Sequence, residues 1–329
     1  MKKRYILLIL LSGCLFQTGF TQDSQYSQFY ASPIYLAPSF AGSTDGDRIS
    51  LNYRNQWPSI SQSFQTYSLS YDHYFPHMKS GVGLLLFREQ AGASSLATTN
   101  IGLAYSYKFR FRSGWRISPG LNFFYTQRSV NADNLIFYDE IRTTGTAGSA
   151  DDNKVLGKKT DIDATFSILT YNKSLWLGFT WDRIMKPNRS LIGDVTQDPF
   201  KFSIFGGTKF KIFDKYNWAS GQSLSPSFLF KIQDQYTQLD IGLYWYQMPL
   251  VIGIWYRGIP VFKELHSNDA LTFLLGFKID QFSIGYSYDL TISKLVGFTG
   301  GAHEISINYL FSQGVTKRDK RRSIPCPTF

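Results

Sequence analysis

Between Ile101 and Phe111 every second residue is apolar or aromatic: Ile101, Leu103, Tyr105, Tyr107, Phe109 and Phe111. Gly102, Ala104, Ser106, Lys108 and Arg110 stand between them. A period of two places alternate side chains on opposite faces of a strand. The alternation recurs along most of the chain, for example at Ile49-Leu51-Tyr53, Tyr67-Leu69-Tyr71, Leu121-Phe123-Tyr125, Ile162-Ala164-Phe166-Ile168, Leu175-Leu177-Phe179-Trp181, Leu239-Ile241-Leu243-Trp245, Leu271-Phe273-Leu275-Phe277-Ile279 and Ile305-Ile307-Tyr309-Phe311. Fourteen candidate strands result, each of about 8 to 14 residues, where soluble strands average about 5 or 6. A tilted strand crossing a bilayer takes about 9 to 11.

The other face is wrong for a dry core. It carries Lys108, Arg110, Arg116, Asn122, Asp161, Asp163, Lys209, Lys211, Asp240, Glu304 and Asn308. A polar interior inside an apolar belt is the signature of a transmembrane barrel, and Tyr53, Trp115, Trp181, Trp245 and Tyr256 near strand ends suit its aromatic girdles. Backbone groups in hydrocarbon must all be paired, so such a sheet has to close on itself. The expected fold is therefore an all-β, antiparallel transmembrane β-barrel of about 14 strands.

The links alternate in length. "PHMKS", "RSG", "NK", "QMP" and Asp280-Gln281 are short, with "DKYNWASGQ" a longer exception. The others are Asn55 to Ile60, the "REQAGASSLATT" region, Asn131 to Thr160, Met185 to Pro199, Gly258 to Asp269 and Thr291 to Gly301, with one tight link at Gln233 to Gln235. Short periplasmic turns and longer outward loops are expected of outer-membrane barrels. An even strand count then returns both termini to the periplasm.

The start of the chain supports export. Lys2, Lys3 and Arg4 precede a short apolar run, Tyr5 to Leu11, with small and polar residues leading to Thr21. This is the layout of a cleavable signal over residues 1–21. "LSGC", ending at Cys14, offers lipidation as the alternative. The net charge of +10 falls to +7 on removal of Lys2, Lys3 and Arg4, and an exported chain has no nucleic acid as partner. Cys14 and Cys326 are the only cysteines, so neither a disulfide framework nor a thiolate metal site is expected.

Candidate chemistry is sparse. Asp161 and Asp163 imitate a paired-carboxylate site, but as lumen residues they would face Lys108, Arg110 or Arg116. "ADDNK", Ala150 to Lys154, lacks the acceptor spacing of a calcium loop. "GTAGSAD", Gly145 to Asp151, lacks the lysine-threonine pair of a phosphate loop. His303 beside Glu304 would need a serine and an orienting partner meeting it in space, and serines are too abundant here for one nearby to signal a hydrolase. No catalytic residue, metal or cofactor is expected.

Two segments flank the barrel, taken as residues 48–312. The opening strip "QDSQYSQFYASPIYLAPSFAGS", within 22–47, carries Tyr26, Phe29, Tyr30, Tyr35 and Phe40, too many aromatics for a disordered leader. Pro33 and Pro38 exclude a long helix. The strip is expected to plug the lumen, close the base of the barrel, or present those five rings to a partner. The tail, 313–329, concentrates Lys317, Arg318, Lys320, Arg321 and Arg322 against Asp319, a candidate docking arm for an acidic periplasmic partner. In the longest outward loop Phe137 and Tyr138 are candidate contact residues.

The opening strip resembles the start of mature proteins of the PorP/SprF family, outer-membrane proteins of type IX secretion in Bacteroidetes. The matching positions are Gln22, Asp23, Tyr26, Ser27, Gln28, Pro33, Pro38, Phe40, Ala41, Gly42 and Ser43, with Ser32 and Ala37 replacing the usual asparagines. "NYRNQWP" (Asn52 to Pro58), the strand ending "SYDH", "GVGLLL" and "HEISINYLF" (His303 to Phe311) extend the resemblance over nearly all of the mature chain; the basic tail departs from it. The resemblance implies a non-enzymatic role in which the barrel assists export or surface attachment of a secreted adhesin-like cargo. It also admits a core translocon or gliding-motility component linked to periplasmic rings. The implied partners are outer-membrane lipid, a secreted cargo and periplasmic secretion-system proteins. A solute channel is the rival from another class.

Overall fold

The structure, a computed structural model, describes residues 25–44, 46–60, 63–92, 96–130, 158–188, 190–191, 196–213, 222–234, 236–258, 268–293, 296–311 and 324–325. Among these residues fourteen strands form the wall: β1 Asp47–Gln56, β2 Phe64–Phe75, β3 Ser80–Ala91, β4 Leu96–Tyr107, β5 Arg116–Ser129, β6 Lys159–Tyr171, β7 Leu175–Asp182, β8 Lys201–Thr208, β9 Gln222–Gln233, β10 Tyr236–Gln247, β11 Leu250–Gly258, β12 Asn268–Ile279, β13 Phe282–Thr291 and β14 Ala302–Phe311. Phe109–Arg110 prolongs β4 beyond a break at Lys108, and Phe210–Phe213 prolongs β8 beyond one at Lys209.

Every strand pairs antiparallel with its sequence neighbours. The sheet closes where β1 meets β14, from Asp47↔Phe311 to Gln56↔Ala302. Closure gives every wall strand a paired neighbour on both sides, as hydrocarbon requires. One end carries short links such as 76–79, 172–174, 248–249 and 280–281, and is called the turn end below. The other carries the longer links, including 183–200 and 292–301, and is the loop end.

The radial order of polarity is inverted relative to a soluble domain. Leu103, Phe123, Leu177, Ile254 and Phe273 are exposed on the outer face, whereas Ser70, Asn122, Ser167, Ser225 and Glu304 are buried inside. This follows from the period of two once the apolar rows face lipid. Leu103, 62% exposed and paired with Leu84 and Phe123 in mid-wall, tests the assignment. Leu103→Arg is expected to cost about 2–4 kcal/mol of folding stability if it lies near the bilayer midplane, read from the urea midpoint in phospholipid vesicles.

Two expectations need correction. Most of the "REQAGASSLATT" region is wall rather than loop, because β3 runs to Ala91 and β4 starts at Leu96. Its ladder bonds do not depend on apolar side chains, so loss of alternation there marks the end of the lipid belt and not of the strand. The expected lumen bases Arg110 and Lys211 are exposed in the short turn-end prolongations, while Lys108 and Lys209 lie over the rings of Tyr74 and Tyr246. Beyond the rim both faces of a strand meet solvent, and alternation no longer separates inside from outside.

Candidate functional site

Residues 25–44 lie inside the barrel. Pro33 and Pro38 each open a single helical turn, Pro33–Leu36 and Pro38–Phe40, after a first turn at Phe29–Ala31. Proline suits that position because its missing N–H would be unpaired there anyway. The result is a compact chain of turns in place of an extended strip. It descends from the loop end, where Lys231 Nζ donates to Gln25 Oε1 at 2.8 Å, to the turn end, where it feeds β1.

Near the loop end the segment is held by a buried ionic cluster. Glu304, 0% exposed, accepts the backbone N–H groups of Ser27 at 2.7 Å and Gln28 at 3.0 Å. Arg54 donates to Ser27 Oγ at 2.7 Å, Glu304 Oε2 at 3.1 Å and Asp289 Oδ2 at 2.8 Å. Arg257 reaches the same Ser27 Oγ at 2.8 Å and Asp289 at 3.1 Å. Gln28 Nε2 donates to the Glu304 carbonyl and to Ser287 Oγ, and its Oε1 accepts from Ser306 Oγ at 2.6 Å. Charges so buried are tolerable only when paired and hydrogen-bonded. Here the segment itself supplies part of that pairing.

A second clamp holds the turn end. Asp72 accepts Arg48 Nε at 2.8 Å and the N–H of Gly42 at 2.8 Å. Gly42 has φ +59°, a left-handed conformation that glycine adopts at least cost, and it aims that N–H at Asp72. Lys108 donates to the Gly42 carbonyl. Across the lumen Ser167 Oγ accepts the Ser39 N–H at 2.9 Å, Ser118 Oγ donates to its carbonyl at 3.0 Å, and Ser106 Oγ donates to the Ala41 carbonyl at 2.8 Å.

Between the clamps the aromatics find partners. Phe29 packs edge-on to Trp255 at 4.9 Å, Tyr30 meets Trp176, Tyr35 stacks on Phe87 at 5.1 Å and Phe40 on Phe205 at 5.7 Å. Tyr26, Phe29, Tyr30 and Phe40 are buried and Tyr35 half-buried. Their surface faces the barrel wall or one another.

Above the segment, a vestibule opens at the loop end, enclosing about 1300 Å³ with its solvent-open mouth included. Tyr26, Phe29 and Tyr35 form its floor. Asp161 and Asp163 line it, as lumen residues should, but Lys108, Arg110 and Arg116 lie at the other end of the barrel. The bases sharing the vestibule are Arg128, Lys159, Arg183, Lys201 and Lys231. The described residues contain no group of three or more metal-binding side chains. Phe137, Tyr138, Lys317, Arg318, Lys320, Arg321 and Arg322 lie outside the described residues, as do the leader with Cys14, all of "DKYNWASGQ" but its last residue, "ADDNK" and "GTAGSAD".

The anchoring residues Arg48, Arg54, Asp72, Arg257 and Asp289 were not singled out from sequence. A usable signal existed. Arg54 belongs to "NYRNQWP", Asp72 to "SYDH" and Glu304 to "HEISINYLF", three of the stretches that carry the family resemblance. All three converge on Ser27, Gln28 and Gly42 of the opening strip.

Comparison with known proteins places the chain. No curated protein matches it. Among solved structures it is similar to CdiB from Acinetobacter baumannii (7% identity, 81% of this chain and 60% of that one, TM-score 0.43). It is similar also to the CymD monoaromatic hydrocarbon channel (10% identity, 87% and 94%, TM-score 0.43) and to the KdgM porin (9% identity, 80% and 99%, TM-score 0.37). The chain thus spans about 60% of the length of CdiB. The model of the type IX secretion system membrane protein PorP/SprF family matches residues 18–309, and this outer-membrane β-barrel belongs to that family.

Proposed function

We propose that the protein is a non-enzymatic scaffold of type IX secretion that assists export or surface attachment of one secreted, adhesin-like cargo. The observation carrying this reading is the anchorage of residues 25–44 to the lumen wall. Residues 25–44 are bound to opposite sides of the wall by buried clamps, an arrangement suited to holding a surface in the membrane and poorly suited to free diffusion. In this reading the internal segment plugs the barrel. The outward loops, Phe137 and Tyr138 among them, meet the cargo, and Lys317, Arg318, Lys320, Arg321 and Arg322 meet acidic periplasmic components. The five aromatics of the strip act through the plug, with the half-buried Tyr35 also offered to the cargo from the vestibule floor.

Deletion of the gene tests this reading. One large secreted protein is expected to leave the cell surface while permeability to a small chromogenic antibiotic stays unchanged. Loss of the whole set of type IX cargoes would move the assignment to the core translocon or gliding machinery. Altered permeability with intact secretion would replace it with a channel.

A further inference from the structure

We infer that the lumen at the turn end holds a binding site for a short apolar peptide, and that its occupant is this chain's own carboxy-terminal Ile324–Pro325. The wall strand β14 ends at Phe311, yet Ile324 is 6% exposed and belongs to the same buried cluster as Phe29, Tyr30, Tyr171, Trp176, Tyr246 and Val251. Pro325 is buried beside it. The intervening residues, 312–323, have ample reach at about 3.3–3.6 Å each.

The make-up of the wall explains why an apolar occupant belongs there. At the turn end the amino-terminal segment makes its hydrogen bonds to Arg48, Asp72, Ser106, Ser118 and Ser167. These residues stand on β1, β2, β4, β5 and β6. On the remaining strands Trp176 near the start of β7, Tyr246 near the end of β10 and Val251 near the start of β11 are buried large apolar side chains, set among smaller polar ones such as Ser223, Ser225 and Ser283. Large apolar side chains are costly in a wet lumen unless covered. Ile324 contributes that cover, and isoleucine followed by proline gives an apolar group on a stiffened backbone with one donor fewer to satisfy. Ile324–Pro325 and the opening strip then close the turn end together.

Planar-bilayer recording tests the closure. The full chain is expected to pass little current. A chain ending at Arg322 should pass at least several-fold more, and so should Ile324→Asp. A Ser323–Phe329 peptide with Cys326→Ser, added to the turn-end chamber, should suppress the current of the shortened chain, whereas the same peptide carrying Ile324→Asp should not. Equal currents from the full and shortened chains would overturn the inference, as would equal suppression by both peptides. A second measurement does not depend on current. With Ile324→Cys in a Cys326→Ser background, a water-soluble maleimide should label the folded barrel at least tenfold more slowly than the urea-unfolded chain. Equal rates would overturn the inference.

Discussion

Arg54→Ala is expected to release the amino-terminal segment from the lumen while the barrel wall stays folded. Arg54 is the hub of the loop-end clamp, serving Ser27, Asp289 and Glu304 at once. Its removal leaves Glu304 without an ion-pair partner and leaves Asp289 to Arg257. Removing one partner from a buried pair costs about 3–5 kcal/mol, because the remaining charge stays desolvated. The wall does not depend on this cluster, since β1 keeps its ladder bonds to β2 and β14. The loss therefore falls on docking of the segment. With tenfold per about 1.4 kcal/mol, the docked population should drop relative to the undocked by about 150-fold or more. Amide hydrogen exchange reads this directly: Ser27, Gln28 and Gly42 should lose protection while the strands keep theirs. Arg54→Lys should fall between the two, because one ammonium cannot reproduce the guanidinium's fork to several acceptors. Equal loss of protection in strands and segment would show that the cluster cements the wall instead.

Gly81→Val combined with Gly120→Val should expel the same segment by shape. A side chain at Gly81 would collide with the backbone of Ala41, and one at Gly120 with the backbone of Pro38 and Ser39. Backbone cannot rotate out of the way, so the overpacking cost, about 1–3 kcal/mol at each site, would be met by displacement of the segment. Valine itself suits a strand, and the ladders of β3 and β5 need no change. The double variant should remain a heat-resistant barrel in detergent while its segment becomes open to protease. A protected segment in the double variant would mean that the strip is not seated against these two glycines.

The arrangement of the wall was largely visible in the one-dimensional pattern. Ile101-Leu103-Tyr105 names its outward face because alternation and strand length follow from local backbone geometry and from the depth of hydrocarbon. The turn at Asp280-Gln281 was equally visible, since two residues between alternating runs leave room for little else. Polar stretches were harder. Arg88 to Gln90 and Thr98 to Asn100 continue their strands, but they face the vestibule or lie past the lipid belt, where no apolar period is demanded. Arg110 and Lys211 were misplaced for a related reason, as alternation reports sidedness only where a strand has lipid on one face and lumen on the other.

The interior is another matter. That the opening strip seeks burial could be argued from its aromatics and prolines alone. That Ser27 and Gln28 answer to Arg54 and Glu304, or that Ala41 rests on Gly81, depends on residues up to 277 positions apart in the chain. Such pairings exist only after closure has fixed which strands face one another across the lumen. Period and composition decide the class of fold because each residue meets water or lipid on its own account. The placement of a segment inside the barrel is a collective property, settled by charges and shapes that become neighbours only when the cylinder is complete.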